Sequence, residues 1–141
     1  MTHIDLEEYA KEQINAAAYP EDIHRCFLYP CDNCNRVVPF TVRISYSVAC
    51  DDARPAYDFA GTVYGTCIQC HQEQNLFSIK RGNHTEEEQE HPVCSCGSDA
   101  FILCMCERYE GPSGLAGFFD EGVIVGKCET CGTPKTFLYT D

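Results

Sequence analysis

Two stretches of this chain repeat one pattern. Gly61–Ile79 reads GTVYGTCIQCHQEQNLFSI, and Gly122–Thr140 reads GVIVGKCETCGTPKTFLYT. Each has a Gly, three residues typical of strands, a second Gly, then C-x-x-C and another strand-like run. A second cysteine pair precedes each stretch, and the gaps between the inner cysteines, positions 35–66 and 97–127, are nearly equal in length. The spacing predicts a tandem repeat of a unit of about 60 residues.

A unit of that size is marginally stable on apolar burial alone. Two cysteine pairs at the tips of hairpins supply what is missing, because four thiolates at about 2.3 Å suit tetrahedral Zn²⁺. Binding of structural Zn²⁺ is worth roughly 10–16 kcal/mol in small peptides, enough to drive folding. The predicted ligands are Cys31, Cys34, Cys67 and Cys70 for one ion, and Cys94, Cys96, Cys128 and Cys131 for the other.

Local sequence around the cysteines agrees with tight metal-binding turns. Gly97 and Gly132 directly follow the second cysteine of their pairs, where such turns favour a positive φ. The alternative for the four pairs is that they are core thiols or disulfides, which the matched long gaps disfavour.

The arrangement resembles the zinc-ribbon superfamily, in which two cysteine knuckles at hairpin tips clamp a small antiparallel sheet. The resemblance covers Cys31–Ile79 and Cys94–Tyr139, and Cys128-Glu129-Thr130-Cys131-Gly132 is its best knuckle. It implies two closed, structural, non-catalytic zinc sites. Rubredoxin-like iron sites share the geometry, so an iron electron carrier is an alternative.

The chain departs from the ribbon pattern in two respects. No knuckle contains the internal Pro that ribbons often have, and Cys94-Ser95-Cys96 has a one-residue spacer. His91, three residues before Cys94, is therefore an alternative ligand in its place.

Periodicity predicts a mainly β fold with one N-terminal helix. Asp5 and Glu8 form a capping box for a helix over Leu6–Ala18. The predicted strands and hairpins are Phe27–Tyr29, Val38–Val48, Phe59–Ile79, Ala100–Tyr109 and Phe118–Tyr139, with loops at 51–55 and 110–117. The predicted organisation is a helix and connector (1–25), a first zinc ribbon (26–80), an acidic linker (81–92, within the polar stretch Lys80–Pro92) and a second zinc ribbon (93–141).

Four cysteines fall outside the predicted ligands. Superposing Cys34 on Cys96 places Val42 and Ile44 over Cys104 and Cys106, which predicts that these two cysteines pack in the core. A redox pair or an extra metal site is the alternative. Cys26 and Cys50 have no sequence neighbour to pair with, and we expect them to pack as well.

Charge constrains the partner. The chain has 22 Asp and Glu against 10 Lys and Arg, for a net charge of −12. That balance disfavours a phosphate-binding surface and suits solubility or a basic partner. The N-terminus lacks the features of a signal peptide and no stretch is apolar enough to span a membrane, so we expect a cytoplasmic protein with reduced thiols.

No catalytic constellation is visible, and the sequence predicts a non-catalytic protein–protein adaptor. The first alternative is a nucleic-acid-associated zinc-ribbon factor. Its candidate contacts are Arg36, Arg43, Arg54, Lys80 and Arg81, with Tyr46 and Tyr64 for base stacking.

Overall fold

The computed structural model describes residues 6–13, 23–47, 61–79, 86–109 and 119–140. It confirms a mainly β protein with a short N-terminal helix, α1 (Leu6–Gln13). The strands are β1 (Ile23–Leu28), β2 (Pro30–Cys31), β3 (Arg36–Val37), β4 (Phe40–Ser47), β5 (Gly61–Cys67), β6 (Glu73–Ile79), β7 (Glu86–Glu90), β8 (Ala100–Tyr109), β9 (Phe119–Cys128) and β10 (Pro134–Thr140).

Both predicted hairpins are present, as β5–β6 and β9–β10, and the strand predicted over Ala100–Tyr109 has those bounds. The predicted Val38 strand begins two residues later, at Phe40, because Pro39 has no N–H to contribute to a ladder. The predicted helix continuation over 14–18, the cap at Asp5 and the two predicted loops lie outside the described residues.

Eight strands form one antiparallel sheet, with the order β10-β9-β8-β4-β5-β6. Its two halves, β4–β6 and β8–β10, each carry one copy of the repeat. They meet where β4 pairs with β8 through only two residue pairs, Phe40 with Phe101 and Thr41 with Ala100. Beyond this junction the two strands diverge, and each pairs with a different neighbour.

Those neighbours are exchanged between the halves. β1, which enters the first half just before Cys31, pairs with β8 of the second half over all six of its residues. β7, which enters the second half before Cys94, pairs with β4 of the first half. We call β1 and β7 the entering strands. Each entering strand therefore belongs by sequence to one repeat and by hydrogen bonding to the other.

The entering strand β7 differs from the sequence prediction. Glu86–Glu90 falls in the stretch expected to be a linker, yet it forms a strand against Ile44–Ser47. Its sequence, EEEQE, has no apolar alternation. The hydrogen bonds that β4 offers along its open edge determine the strand, rather than any local preference.

One face of the sheet, here the front face, holds the main core. Buried side chains from both halves form one cluster there, which includes Phe40, Ile44, Phe101, Leu103 and Ile124. Tyr29 joins the halves: its N–H donates to Leu103 O (3.0 Å) and its hydroxyl donates to Leu76 O (3.2 Å). The two halves share a core.

The ladder corrects the superposition of the repeats by one residue. Phe40 lies opposite Cys67, and Phe101 lies opposite Cys128. Since Cys67 and Cys128 correspond, Phe40 corresponds to Phe101, whereas superposing Cys34 on Cys96 had placed it over Ile102. One residue fewer separates Cys96 from Phe101 than separates Cys34 from Phe40.

That shift reverses the predicted face of two cysteines, because successive strand residues point to opposite faces. Leu103 and Met105, not Cys104 and Cys106, occupy the positions of Val42 and Ile44. Cys104 and Cys106 are buried as predicted, but on the back face of the sheet, in a second cluster. That cluster contains Leu6, Ala10, Cys104, Cys106, Val123 and Val125.

Within the described residues, the helix packs on the back face of the second half. At the positions matching Cys104 and Val125, the first half has Arg43 and Tyr64. The Arg43 guanidinium stacks over the Tyr64 ring at 4.0 Å and forms a 2.9 Å ion pair with Glu73. The back face is therefore apolar in the second half and polar in the first. This difference explains why α1 contacts strands β8, β9, β1 and β10.

The sequence predicts that Cys26 is unpaired and packs in the core. In the structure Cys26 instead forms a disulfide with Cys106. The two residues lie directly opposite each other in the β1–β8 ladder, with Cα atoms 4.1 Å apart. The expectation failed because the pairing joins residues 80 positions apart through an exchanged strand. Cys50 lies outside the described residues.

The second glycine of each repeated stretch makes room for a side chain. A Cβ on Gly126 would clash with Phe137 Cε2 and would lie 3.1 Å from Leu103 Cδ2. A Cβ on Gly65 would lie 2.8 Å from Leu76 Cδ1. In both halves a side chain of the last hairpin strand lies across the glycine.

We expect Gly126→Ala to lower the stability of the metal-loaded protein by about 1–3 kcal/mol, because the rigid Phe137 ring must move. Gly65→Ala should cost less, since a leucine methyl group can rotate away. Without a clash, Gly→Ala would be neutral or stabilising by about 0.4–1 kcal/mol. Denaturant unfolding measures both, and an unchanged or raised midpoint for Gly126→Ala would contradict the packing.

Removing the disulfide should destabilise the fold under conditions that keep the other cysteines reduced and metal-bound. Cys26→Ala/Cys106→Ala is expected to lose about 2–4 kcal/mol, since the link closes a long loop. Cys104→Ala, a buried change on the same face that leaves the disulfide intact, is the matched control. Equal losses in the two variants would mean that only packing, and not the covalent link, contributes.

Candidate metal centres

The first cage, which we define as Cys31, Cys34, Cys67 and Cys70, lies where two short turns meet. Cys31 ends β2 and Cys67 ends β5, and their partners follow three residues on. Sγ of Cys31 is 3.6 Å from Sγ of Cys70, and Sγ of Cys34 is 3.9 Å from Sγ of Cys67. A tetrahedron of sulfurs at about 2.3 Å from an ion has edges of about 3.8 Å. The cage has the size of a four-sulfur metal site.

The second cage comprises Cys94, Cys96, Cys128 and Cys131. Cys94 Sγ lies 3.4 Å from Cys131 Sγ, and Cys96 Sγ lies 3.5 Å from Cys128 Sγ. In each cage all four sulfurs lie within 4.8 Å of one another, and none is in a disulfide. The structure thus brings together the eight cysteines that the sequence singles out, in the same two groups of four.

Each cysteine pair is held in a turn that closes on its own first residue. The N–H of the residue after the second cysteine donates to the carbonyl of the first, at 2.8–2.9 Å in all four turns. That residue has a positive φ in every case. The four are Asn35, His71, Gly97 and Gly132.

The positive φ predicted at Gly97 and Gly132 is therefore confirmed, and sequence reasoning missed Asn35 and His71 in the same role. Asn is the non-glycine residue that most readily adopts this conformation, and His is also enriched there. The position directly after each second cysteine is the signal that could have identified them.

Backbone N–H groups in these turns point at the sulfurs. Cys34 N–H donates to Cys31 Sγ (3.4 Å), and Gln69 and Cys70 N–H donate to Cys67 Sγ (3.3 and 3.4 Å). In the second cage Cys131 N–H donates to Cys128 Sγ (3.5 Å). These donors stabilise negative charge on sulfur, the form that binds metal.

The thiols within each cage do not ionise alike. A hydrogen bond from the Gln72 N–H lowers the pKa of Cys70 to about 6, whereas burial and bonds to neighbouring thiols raise the pKa of Cys34 to about 12. Burial opposes ionisation of Cys128, but N–H donors outweigh it and lower its pKa to about 6. The pKa values of Cys67 and Cys131 are also lowered, by backbone donors and by Thr133 respectively. Both cages hold negative charge at neutral pH and attract a cation.

The cages differ in exposure. Cys34 and Cys70 are partly buried in the first cage, whereas Cys96 and Cys131 are exposed in the second. In both, the other two cysteines are buried, so each cage has an inner and an outer pair of sulfurs. Four sulfurs fill a tetrahedral ion's coordination, which leaves no position for water or substrate.

The alternative ligand His91 is exposed and does not join the second cage, where buried Cys94 stands instead. His71 is also exposed, as expected.

Of the candidate nucleic-acid contacts, Arg43 stacks on Tyr64 and pairs with Glu73, and Arg36 bonds Gln69. Arg54, Lys80, Arg81 and the side chain of Tyr46 lie outside what the structure describes. The two described arginines of this set are therefore both engaged with neighbouring side chains.

Comparison with protein-family models, with curated proteins and with solved structures gave no match to this chain. Within the described residues, no helix has the length and hydropathy that crossing a bilayer requires.

Metal affinity should fall as the pH falls. The thiols with a raised pKa, Cys34 and Cys96, must lose protons to bind an ion at neutral pH, and below about pH 6 Cys70 and Cys128 are protonated as well. Proton release per ion should therefore be at least one near neutrality and should grow towards pH 5. Co²⁺ titrations across this range, with a pH-indicator dye, measure both; an affinity independent of pH would exclude thiolate ligands.

Proposed function

We propose that this protein binds two zinc ions, one in each cage, and that both ions are structural. The observation that carries the proposal is the closed set of four sulfurs in each cage, with paired sulfurs 3.4–3.9 Å apart. Residue type alone does not separate zinc from iron in such a site. The resemblance to zinc ribbons favours zinc, and a rubredoxin-like iron centre is the alternative.

We further propose that the protein works through its surface, as a non-catalytic adaptor that binds another protein. An ion held by four sulfurs has no free coordination position at which to activate water or substrate. The cages therefore suit a structural role and not a catalytic one. The net charge of −12 suits a partner with a basic surface. The engagement of Arg43 and Tyr64 with each other makes nucleic acid the weaker candidate.

A cytoplasmic location is part of the proposal. Eight reduced thiols are most readily kept for metal in a reducing compartment. The Cys26–Cys106 disulfide is the one described feature that favours an oxidising one, so its redox state in the cell is the relevant observation.

Elemental analysis and an absorption spectrum of the same purified sample test the metal assignment. We expect two zinc ions per chain and no absorption in the visible range. Iron, together with visible sulfur-to-iron charge-transfer bands, would instead indicate an iron electron carrier. A reduced, full-length sample that takes up neither metal would contradict the proposal.

Capture of partners from a nuclease-treated lysate tests the adaptor role. The metal-loaded protein should retain a defined protein at low salt and lose it as salt rises, because charge contributes to the contact. Metal-stripped protein is the matched control and should retain less. In a parallel capture from an untreated lysate, recovery of nucleic acid without a protein would favour the nucleic-acid-associated factor.

A further inference from the structure

We propose that the two cages bind their ions cooperatively, because each cage is completed by a strand that the other half holds in place. The inference rests on the proposed function, since it concerns how the same two sites are regulated. The two cages are coupled, so that an ion in either cage raises the metal affinity of the other cage.

The path of the chain provides the first link. β1 ends at Leu28, three residues before Cys31, and is paired throughout with β8. β8 begins at Ala100, four residues after Cys96 of the second cage. An ion in the second cage fixes the start of β8, and β8 in turn holds the strand that delivers Cys31 to the first cage.

The same link runs in the opposite direction. β7 ends at Glu90, four residues before Cys94, and is paired with β4. β4 begins six residues after Cys34 of the first cage. Each cage therefore orders the entering strand of the other, which makes the coupling reciprocal in structure.

A row of side chains across the sheet provides the second link. Cys67, Phe40, Phe101 and Cys128 are successive neighbours on four adjacent strands. Both phenylalanines have no exposed surface, and both cysteines are buried. Three strand spacings separate the cages by about 14 Å along the sheet, so the rigid row between them consists of only two aromatic residues.

Two further contacts hold β1 and Tyr29, the residue that follows it, in the sheet. Tyr29, two residues before Cys31, bonds Leu103 O in the second half and Leu76 O in the first. The Cys26–Cys106 disulfide joins β1 covalently to β8. Since a close-packed core does not deform continuously, loss of order in one half removes packing from the other.

Affinity measurements on variants with one cage removed test the coupling. Cys128→Ser/Cys131→Ser removes the second cage, and Cys67→Ser/Cys70→Ser removes the first. We expect the intact cage of each variant to bind Co²⁺ at least about tenfold more weakly than in the unaltered chain, and by the same factor in both, since coupling is reciprocal. Thr130→Ala in the second cage and Asp32→Asn in the first, exposed non-ligand changes within the cysteine turns, are the matched controls and should have no effect.

Native mass spectrometry of the unaltered chain avoids variants that fail to fold. Two independent sites, equal or unequal, leave at least half of the chains with one ion at half saturation. Tenfold coupling between equal sites lowers that fraction to about a quarter, and we expect a fraction below half. One-ion chains at half or more, together with unchanged affinities in both cage variants, would overturn the proposal.

The Co²⁺ titration of the unaltered chain, followed by absorption, separates this proposal from the proposed function. Sulfur-to-cobalt charge-transfer bands that saturate at two ions per chain establish that both cages bind metal, whether or not they are coupled. Absence of those bands would overturn the metal function and the coupling with it.

Discussion

The convergence of four sulfurs in each cage is the constraint on which the rest of this structure depends. In each cage the paired sulfurs lie 3.4–3.9 Å apart, and backbone donors favour their charged form. Ionised sulfurs this close repel one another, and a bound cation would offset that repulsion. The turns, the positive-φ residues and the hairpins together orient the four sulfurs of each cage towards its centre.

The exchange of entering strands makes one protein of two repeats. Had each half kept its own entering strand, the chain would consist of two small units on a tether, each marginal in stability. Instead β1 and β7 cross over, the front-face core draws residues from both halves, and a disulfide fixes one crossing. Asymmetry remains on the back face, where α1 covers the second half and a polar cluster around Arg43 occupies the first.

Much of the site could be predicted from the sequence, because ligand spacing is local. The four cysteine pairs, the hairpins and the glycines that follow two of the pairs can all be read from short-range rules. The register of β8 could not, since a single deleted residue after Cys96 moves Cys104 and Cys106 to the other face. The strand nature of Glu86–Glu90 could not either, because β4 imposes it. The Cys26–Cys106 link depends on a pairing between repeats that no local pattern records.

Hydrogen exchange of the reduced protein with and without its metal tests the central claim, that the cages hold the sheet together, most directly. Removal of metal by a chelator should abolish amide protection in β4 and β8 alike, and two equivalents of zinc should restore it in both. Slow exchange in these strands after the metal has gone would show that the sheet is stable without its cages, and would contradict the account.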